Sequence, residues 1–592
     1  MFFGIIFYND NARIQMRRIR RNMKHLQKLL FVIAILCSIW TIPAFAYTMP
    51  ETIHIGLSNI GSAITLSNKT ITIGAEENGV YISGGILQSD KGFTFAAGNG
   101  TYGAITQYYD SYEAAKQQAN TIKNALPAYT GGGKWQLYVS GMTGDQLRQK
   151  TGLPTENVAS VSNMILIQSN GKTIALTNLI TPQFGAANSD DSIITINNKQ
   201  YRGKIQPTRV KGGNIVPVNA VSIEDYLYGV IPCEMSPSYA AEALKAQAVA
   251  ARTYAVKKIE MKAHTEKGYD LCDGTHCQAY KGKEAEHPET NSAVDATKGL
   301  LIYYQGEPIE SVFFASSGGY TENSEDIWTA PLPYLKAVPD VYEVDTNTWK
   351  KQFTAAQLTN LTSAKGDNIG QVTDLVISKI SLGGRVQELK IVGTKGTKVL
   401  TKLQICSYLS GLPTKMFTIN GKGSGAKTTV SMNVAQSATP ITTTPVTTPS
   451  QNIPVPSNTG DSIADNYVIG SDAPLTTDLE PFSVETNYVT NNIPLPDINR
   501  IPATLPDFTT TPTTQNPPVT ENTPATKVEN VTVTAASTGA ISTNNGTGVF
   551  TIEGKGNGHG AGMSQKGAQG MALQGNDFLT ILHHYYTNVT IQ

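Results

Sequence analysis

The chain has little charge, little cysteine and almost no long apolar runs. Only 16% of its 592 residues are Asp, Glu, Lys or Arg, below the roughly 25% usual for soluble domains. That deficit excludes a coiled coil and a charged disordered chain. The 46 basic and 46 acidic residues cancel, so no overall positive field is available to hold nucleic acid. Five cysteines are too few for a disulfide framework in a chain this long. Continuous hydrophobic sequence is confined to one stretch near the amino terminus. Contact with a membrane is therefore expected only through that stretch, and only if it stays on the protein.

That stretch, LLFVIAILCSIWTIPAFA from Leu29 to Ala46, carries no charge. Residues 1–30 hold seven basic side chains against Asp10 alone. A basic approach, an apolar middle and the small-x-small ending Ala44-Phe45-Ala46 read as a secretory signal peptide over residues 1–46. An uncleaved anchor is the alternative, since 18 uncharged residues lie at the lower edge of a membrane span. Met16 or Met23 could be the true start. Either way, the body of the protein is expected to work outside the cytoplasm. Without residues 1–30, 39 basic and 45 acidic residues remain, so the body is mildly acidic.

The pattern beyond the signal is α+β. Residues 47–205 alternate β-branched and polar residues, interrupted by SYEAAKQQANTIKNAL, which reads as a helix, and by a second helix around Thr143 to Lys150. Residues 206–423 carry further strand signals and a long helix expected to start at Ser236-Pro237, Ser being a good cap and Pro a good first residue. Residues 424–547 change character: 15 prolines lie between Pro440 and Pro524, with nine acids and the single basic residue Arg500. Such a segment is expected to be an extended, flexible, acidic insertion. Residues 548–592 return to folded composition and are too few for a domain of their own. They are expected to complete the 206–423 core. The predicted fold is thus a mixed, β-rich core with a long active-site helix, a small α+β amino-terminal module and a disordered insertion.

Three segments resemble one family. VNAVSIEDYLYGVIPCEM from Val218 runs on to ALKAQAVAARTYA from Ala243; FASSGGYTEN from Phe314 is followed by Trp328; GNGHGAGMSQKGA starts at Gly556. Together they are similar to the SpoIID/LytB family of sporulation and cell-wall proteins. The resemblance implies a lytic transglycosylase acting on peptidoglycan glycan strands stripped of stem peptides, beside an amidase that strips them. It assigns catalysis to Glu234, and substrate binding to Lys245, Arg252, Ser316, Ser317, His559, Ser564 and Gln565. LytB-type members are amidase enhancers, so a non-catalytic activator is the alternative, and a purely structural wall-binding protein is a third.

The residues carry their own arguments. Breaking a glycosidic bond needs a proton for the leaving oxygen, which one carboxylic acid can supply. Glu234, read as lying just ahead of a helix start, faces a conflict: a helix amino terminus favours the carboxylate, whereas Ile231, Pro232 and Met235 favour the acid. As a dipole complement alone it would have no chemical role. Lys245 and Arg252, seven apart, share a helix face; they point either into the cleft or to solvent. The G-x-G-x-x-G string near His559 has no βαβ unit around it, so its glycines read as close backbone approach and not as a dinucleotide site. Cys272, His276 and Cys277 offer three zinc ligands, with His264 as a candidate fourth; a Cys272–Cys277 disulfide is the alternative. A zinc ion there would be structural. Cys233 has no peptidase signature around it. TYGAITQYYDSYEAAKQQANTIK followed by KWQLYVSGM faintly resembles a SPOR-type glycan-binding repeat, at about residues 95–142.

Overall fold

The computed structural model describes residues 49–423 and 540–592, apart from 59–63, 78–79, 159–160, 162–163, 178–179, 188–192, 211–213 and 329. The signal peptide and nearly all of the proline-rich insertion lie outside the described residues. The described chain is α+β and rich in strands, as the alternating pattern requires.

Two sheets fill the amino-terminal half. A seven-stranded sheet runs in the order Leu271–Cys272, Ile53–Gly56, Ile215–Val221, Lys204–Arg209, Pro182–Ala186, Thr70–Glu77, Val80–Gln88. Period-2 burial explains its strands: Ile71 and Ile73 are fully buried, whereas Thr70 and Thr72, which alternate with them, are part-exposed. A ten-stranded sheet carries the opposing apolar face, and Phe95 meets Phe184 edge-on with ring centroids 4.9 Å apart. Part of this second sheet is a βαββαβ unit: Tyr102–Tyr109, helix Tyr112–Ala119, Ala125–Gly131, Lys134–Ser140, helix Gly144–Thr151, Thr155–Asn157. Its strands lie fourth, first, third, second, all antiparallel, the split βαβ arrangement. The helix read over SYEAAKQQANTIKNAL is shorter than expected. Ser111 caps it, it ends at Ala119, and Asn124 adopts φ of 64°, so Leu126 lies in the next strand.

The central core is helical. The sequence reading missed a helix at Ile223–Glu234, capped by Ser222, whose hydroxyl accepts from Asp225 N at 3.1 Å. The long helix runs Ala241–Glu260 and does not begin at Ser236-Pro237. Ser236 Oγ instead meets Ser238 Oγ at 2.8 Å, and Ala240 occupies the cap with no side-chain bond. Its amide donates to Gln569 Oε1 at 2.8 Å, so a distant segment supplies the missing cap. Ala243, Ala246, Ala248, Ala250 and Ala251 are all fully buried; their small side chains let neighbouring helices Ile223–Glu234, Pro288–Ala296, Gln565–Leu573 and Phe578–Tyr585 pack closely.

The carboxy-terminal residues are threaded through this core. Met563–Ser564 pairs in parallel with Phe313–Phe314, and Ile591 lies opposite Ile302. Val549–Lys555 lies between Thr348–Thr354 and Phe417–Ile419. These strands, with Val372–Ile380, Val386–Gly393 and Thr397–Thr401, enclose a second apolar cluster that includes Leu375, Leu389, Phe417 and Ile552.

Candidate active site and metal centre

Glu234 ends its helix and does not precede one. This reverses the electrostatic conflict. At a helix carboxy terminus the dipole opposes a negative charge, so helix position and burial act in the same direction. Burial is the largest influence and pushes the carboxyl up; the Ala279 amide and the Gln565 side chain, both hydrogen-bonded to it, pull back. The Ala279 N–H donates to Oε1 at 3.1 Å.

Gln565 leads from this carboxyl to a second glutamine, and a third precedes Ala279 in the chain. Gln565 Nε2 donates to Gln247 Oε1 at 3.4 Å, and Gln278 Nε2 donates to Ala251 O at 3.1 Å. Gln247 Nε2 and Gln278 Oε1 are buried without a hydrogen-bond partner, and Gln278 directly precedes Ala279. Such unsatisfied polar groups suit a polar ligand. Neither Gln247 nor Gln278 was singled out from the sequence; a lone glutamine in a run of buried alanines was the available signal.

Gln565 reaches Glu234, but most other residues assigned to substrate binding do not. Arg252 is fully buried, and its guanidinium binds both oxygens of Glu224, Nε at 3.0 Å and Nη2 at 2.7 Å. It also donates to the Val294 and Leu300 carbonyls. Arg252 was expected to face the glycan; in the structure Glu224 and two carbonyls hold its guanidinium inside the core. Lys245 pairs with Glu242 at 2.7 Å, one turn away. Ser316 and Ser317 are buried and donate to the Glu343 carboxylate. Their loop is propped by Arg385, which donates to Ser317 O at 2.7 Å and Tyr320 O at 2.8 Å. Ser564 caps the helix Gln565–Leu573 through Gly567 N.

His559 is locked by two backbone contacts. Nδ1 accepts from Ala561 N at 3.1 Å, so Nε2 carries the proton and donates to Phe313 O at 3.1 Å. Burial pushes its pKa down to about 4, which keeps the ring neutral. Phe314 and Trp328 pack against it, each with ring centroids 5.3 Å away. The glycines of its loop permit this: a Cβ at Gly560 would overlap the Arg385 guanidinium.

The cysteine cluster does come together, with His264 as its fourth member. The donor atoms of His264, Cys272, His276 and Cys277 all lie within 4.8 Å of one another. His264 Nε2 is 3.1 Å from Cys277 Sγ, and His276 Nδ1 is 3.6 Å from Cys277 Sγ and 3.8 Å from Cys272 Sγ. Zinc bonds of about 2.0–2.3 Å around a tetrahedron place neighbouring donors roughly 3.3–3.8 Å apart; two of the separations given fall in that window, one is shorter, and all lie within 4.8 Å, so the four side chains could hold that ion after a small adjustment. Both cysteines are free thiols. Hydrogen bonding by Cys277 holds the Cys272 thiol down at about 4, while the same bond and burial push the Cys277 thiol up, and burial pushes His264 down, so one thiolate and a neutral His264 are the favoured forms. The cluster sits on the site itself, because Cys277 is two residues from the amide that binds Glu234.

Comparison with known proteins follows the same residues. Residues 211–304 match the family Stage II sporulation protein, and 343–433 match a domain of unknown function, DUF8618. Stage II sporulation protein D of Bacillus subtilis is 36% identical over 174 residues, 26% of this chain and 51% of that protein. An uncharacterized protein of Brachyspira hyodysenteriae is 33% identical over 241 residues, 39% of this chain and 64% of its own length. The amidase enhancer of B. subtilis is 44% identical over 114 residues, 19% of this chain and 15% of that protein. The chain thus spans between about half and two thirds of the first two relatives' lengths. Glu234, Gln247, Gln278 and all four cluster residues fall inside the region that matches the Stage II sporulation protein family.

Proposed function

We propose that the protein is a peptidoglycan lytic transglycosylase that cuts MurNAc–GlcNAc linkages of glycan strands lacking stem peptides, in sporulation-related wall remodelling. The observation that carries this reading is Glu234: one carboxyl, pushed towards its protonated form by burial and aimed by the Ala279 amide and Gln565. As general acid it delivers its proton to the departing GlcNAc oxygen while the C1–O bond breaks. The 6-hydroxyl of the same MurNAc attacks C1, and Glu234 recovers a proton from it, leaving a 1,6-anhydro end. Hydrolases need a second carboxylate to activate water or to form a covalent intermediate; this intramolecular route does not. None is among the groups acting on Glu234.

Zinc, held by His264, Cys272, His276 and Cys277, would brace the loop that carries the Ala279 amide, a structural role without Lewis-acid chemistry. The signal sequence directs the protein out of the cytoplasm, where an amidase supplies the stripped glycan. The βαββαβ unit, which has the strand order of a split βαβ fold and runs on past residue 142 to Asn157, supports reading the region at about residues 95–142 as part of a SPOR-like wall-binding module.

The second reading, a non-catalytic amidase enhancer, is favoured by the 44% identity to the protein of that name. One experiment separates them. Purified protein and its Glu234→Gln variant are incubated with intact and amidase-stripped peptidoglycan, and released sugars are identified by mass spectrometry. Anhydro-MurNAc ends from stripped glycan only, lost in the variant, are expected. No release from either substrate, with an added amidase accelerated equally by both proteins, establishes the enhancer instead.

A further inference from the structure

A cavity of about 380 Å³ opens on the seven-stranded sheet, away from the partners of Glu234. Four strands and the loop after the long helix line it with His54, Glu76, Gln183, Gln206, Tyr269 and Asp270; two threonines and a glycine complete the wall. Its volume lies in the range of small-molecule sites.

The lining narrows the ligand by chemistry. No aliphatic side chain is present, so an apolar ligand gains nothing there. No lysine or arginine is present, and two carboxylates are, so an anion is repelled. His54, Glu76 and Asp270 do not converge on one point, since the single cluster able to hold a metal among the described residues is that of Cys272 and Cys277. What the pocket has in excess is acceptors. Gln206 is nearly fully buried, and its Oε1 has no hydrogen-bond partner although its Nε2 donates to Thr208 Oγ1 at 3.3 Å. Gln183, also buried, makes only a 3.5 Å contact to Glu76 Oε2. Asp270 Oδ2 accepts from His54 N at 2.8 Å, leaving Oδ1 for a further donor. Beside these acceptors stands a fixed aromatic ring: Tyr269 packs on His264, with centroids 5.3 Å apart, and over Gly56, where a Cβ would overlap it.

Buried acceptors next to a rigid aromatic face suit a molecule with many hydroxyl donors and apolar C–H faces. We infer that this pocket is a second carbohydrate site, which takes a neutral GlcNAc unit of the glycan strand away from the scissile bond. The inference rests on the glycan reading of the Glu234 site for the ligand's identity, but not on turnover there. The ring that frames the pocket also touches a ligand of the metal cluster, so an occupied pocket stiffens the loop that presents Ala279.

The test uses the Glu234→Gln protein, which cannot consume its ligand, and a peptide-free GlcNAc–MurNAc tetrasaccharide followed by calorimetry. Two binding events are expected. Glu76→Ala and Thr181→Trp, both at exposed lining positions, should weaken one event at least tenfold and leave the other unchanged, with the thermal midpoint unmoved. A single event that neither substitution alters overturns the inference, as does competition by a simple alkyl amine with no tetrasaccharide effect, which would make the pocket a cation site. Loss of anhydro-MurNAc release in the wild type, with the Glu76-dependent event retained, would refute the transglycosylase and leave this site standing.

Discussion

Glu234 carries a stability signature as well as a chemical one. Its folded pKa is raised, so its favourable contribution is complete below the unfolded carboxylate value of about 4.3 and is lost as pH rises through the folded value. Glu234→Gln should therefore melt higher than wild type near neutral pH, by about 1–3 °C, with the difference vanishing at acid pH. The same shift sets the alkaline limb of catalysis: kcat/KM should fall as pH rises through the raised pKa, and a flat profile there would remove the general acid from this residue. Arg252 behaves oppositely. Arg252→Ala leaves Glu224, with 14% of its side chain exposed, unpaired inside the core, at a cost of about 3–5 kcal/mol. Replacing both by Met and Gln should recover most of it in denaturant melts. Equal loss in the single and double variants would instead point to a role in binding.

At the scale of elements, the loop of Cys272 and Cys277 leads into the amide that binds Glu234. Cys272–Gln278 is tied down by the short strand Leu271–Cys272, by the Asp273 carboxylate, which accepts from Ser58 N at 3.0 Å, and by Gln278, and a metal on the four converging side chains would cross-link it further. Cys277→Ser should strip zinc from the purified protein, measured by metal analysis, and lower anhydro-MurNAc release about 10–100-fold. A protein that contains no zinc and no free thiol at these positions would show the disulfide. The helix Gln565–Leu573 is equally exacting, for a Cβ at Gly567 would overlap the Asp340 carboxylate and one at Gly570 the Tyr342 carbonyl. That fit sets the position of Gln565 against the carboxyl.

Across the whole molecule, two distant stretches close the same sheets. Lys422 Nζ donates to Ser542 O at 3.2 Å, and Asn420 Nδ2 to Thr543 O at 3.0 Å, so the chain on either side of residues 424–539 meets in one place. Replacing those residues by a linker of about six Gly and Ser residues should keep the thermal midpoint and the release of anhydro ends on soluble glycan. A variant that fails to fold would assign the segment a structural role. Arg385 adds a second coupling, since it reaches from residues 343–433 to the carbonyls of the Ser316–Tyr320 loop.

Much of this was legible in one dimension. Alternation of β-branched residues determined the strand-rich α+β class, because a half-buried strand repeats every two residues wherever it lies. The motif around Glu234 and the spacing of Cys272, His276 and Cys277 pointed to their chemistry because both depend on residues close together in the chain. The helix that ends at Glu234 escaped notice: its apolar run looks like strand, and the serine-proline pair after it looks like a cap. The setting of Arg252 was not legible for a different reason. Whether a cation faces a cleft or a buried glutamate depends on a partner 28 residues away, and no local pattern encodes it. The dipole sign at Glu234, the Gln565–Gln247 contact, the fourth metal ligand's approach and the acceptor-lined pocket were likewise decided only by packing, which alone sets distances between residues remote in sequence.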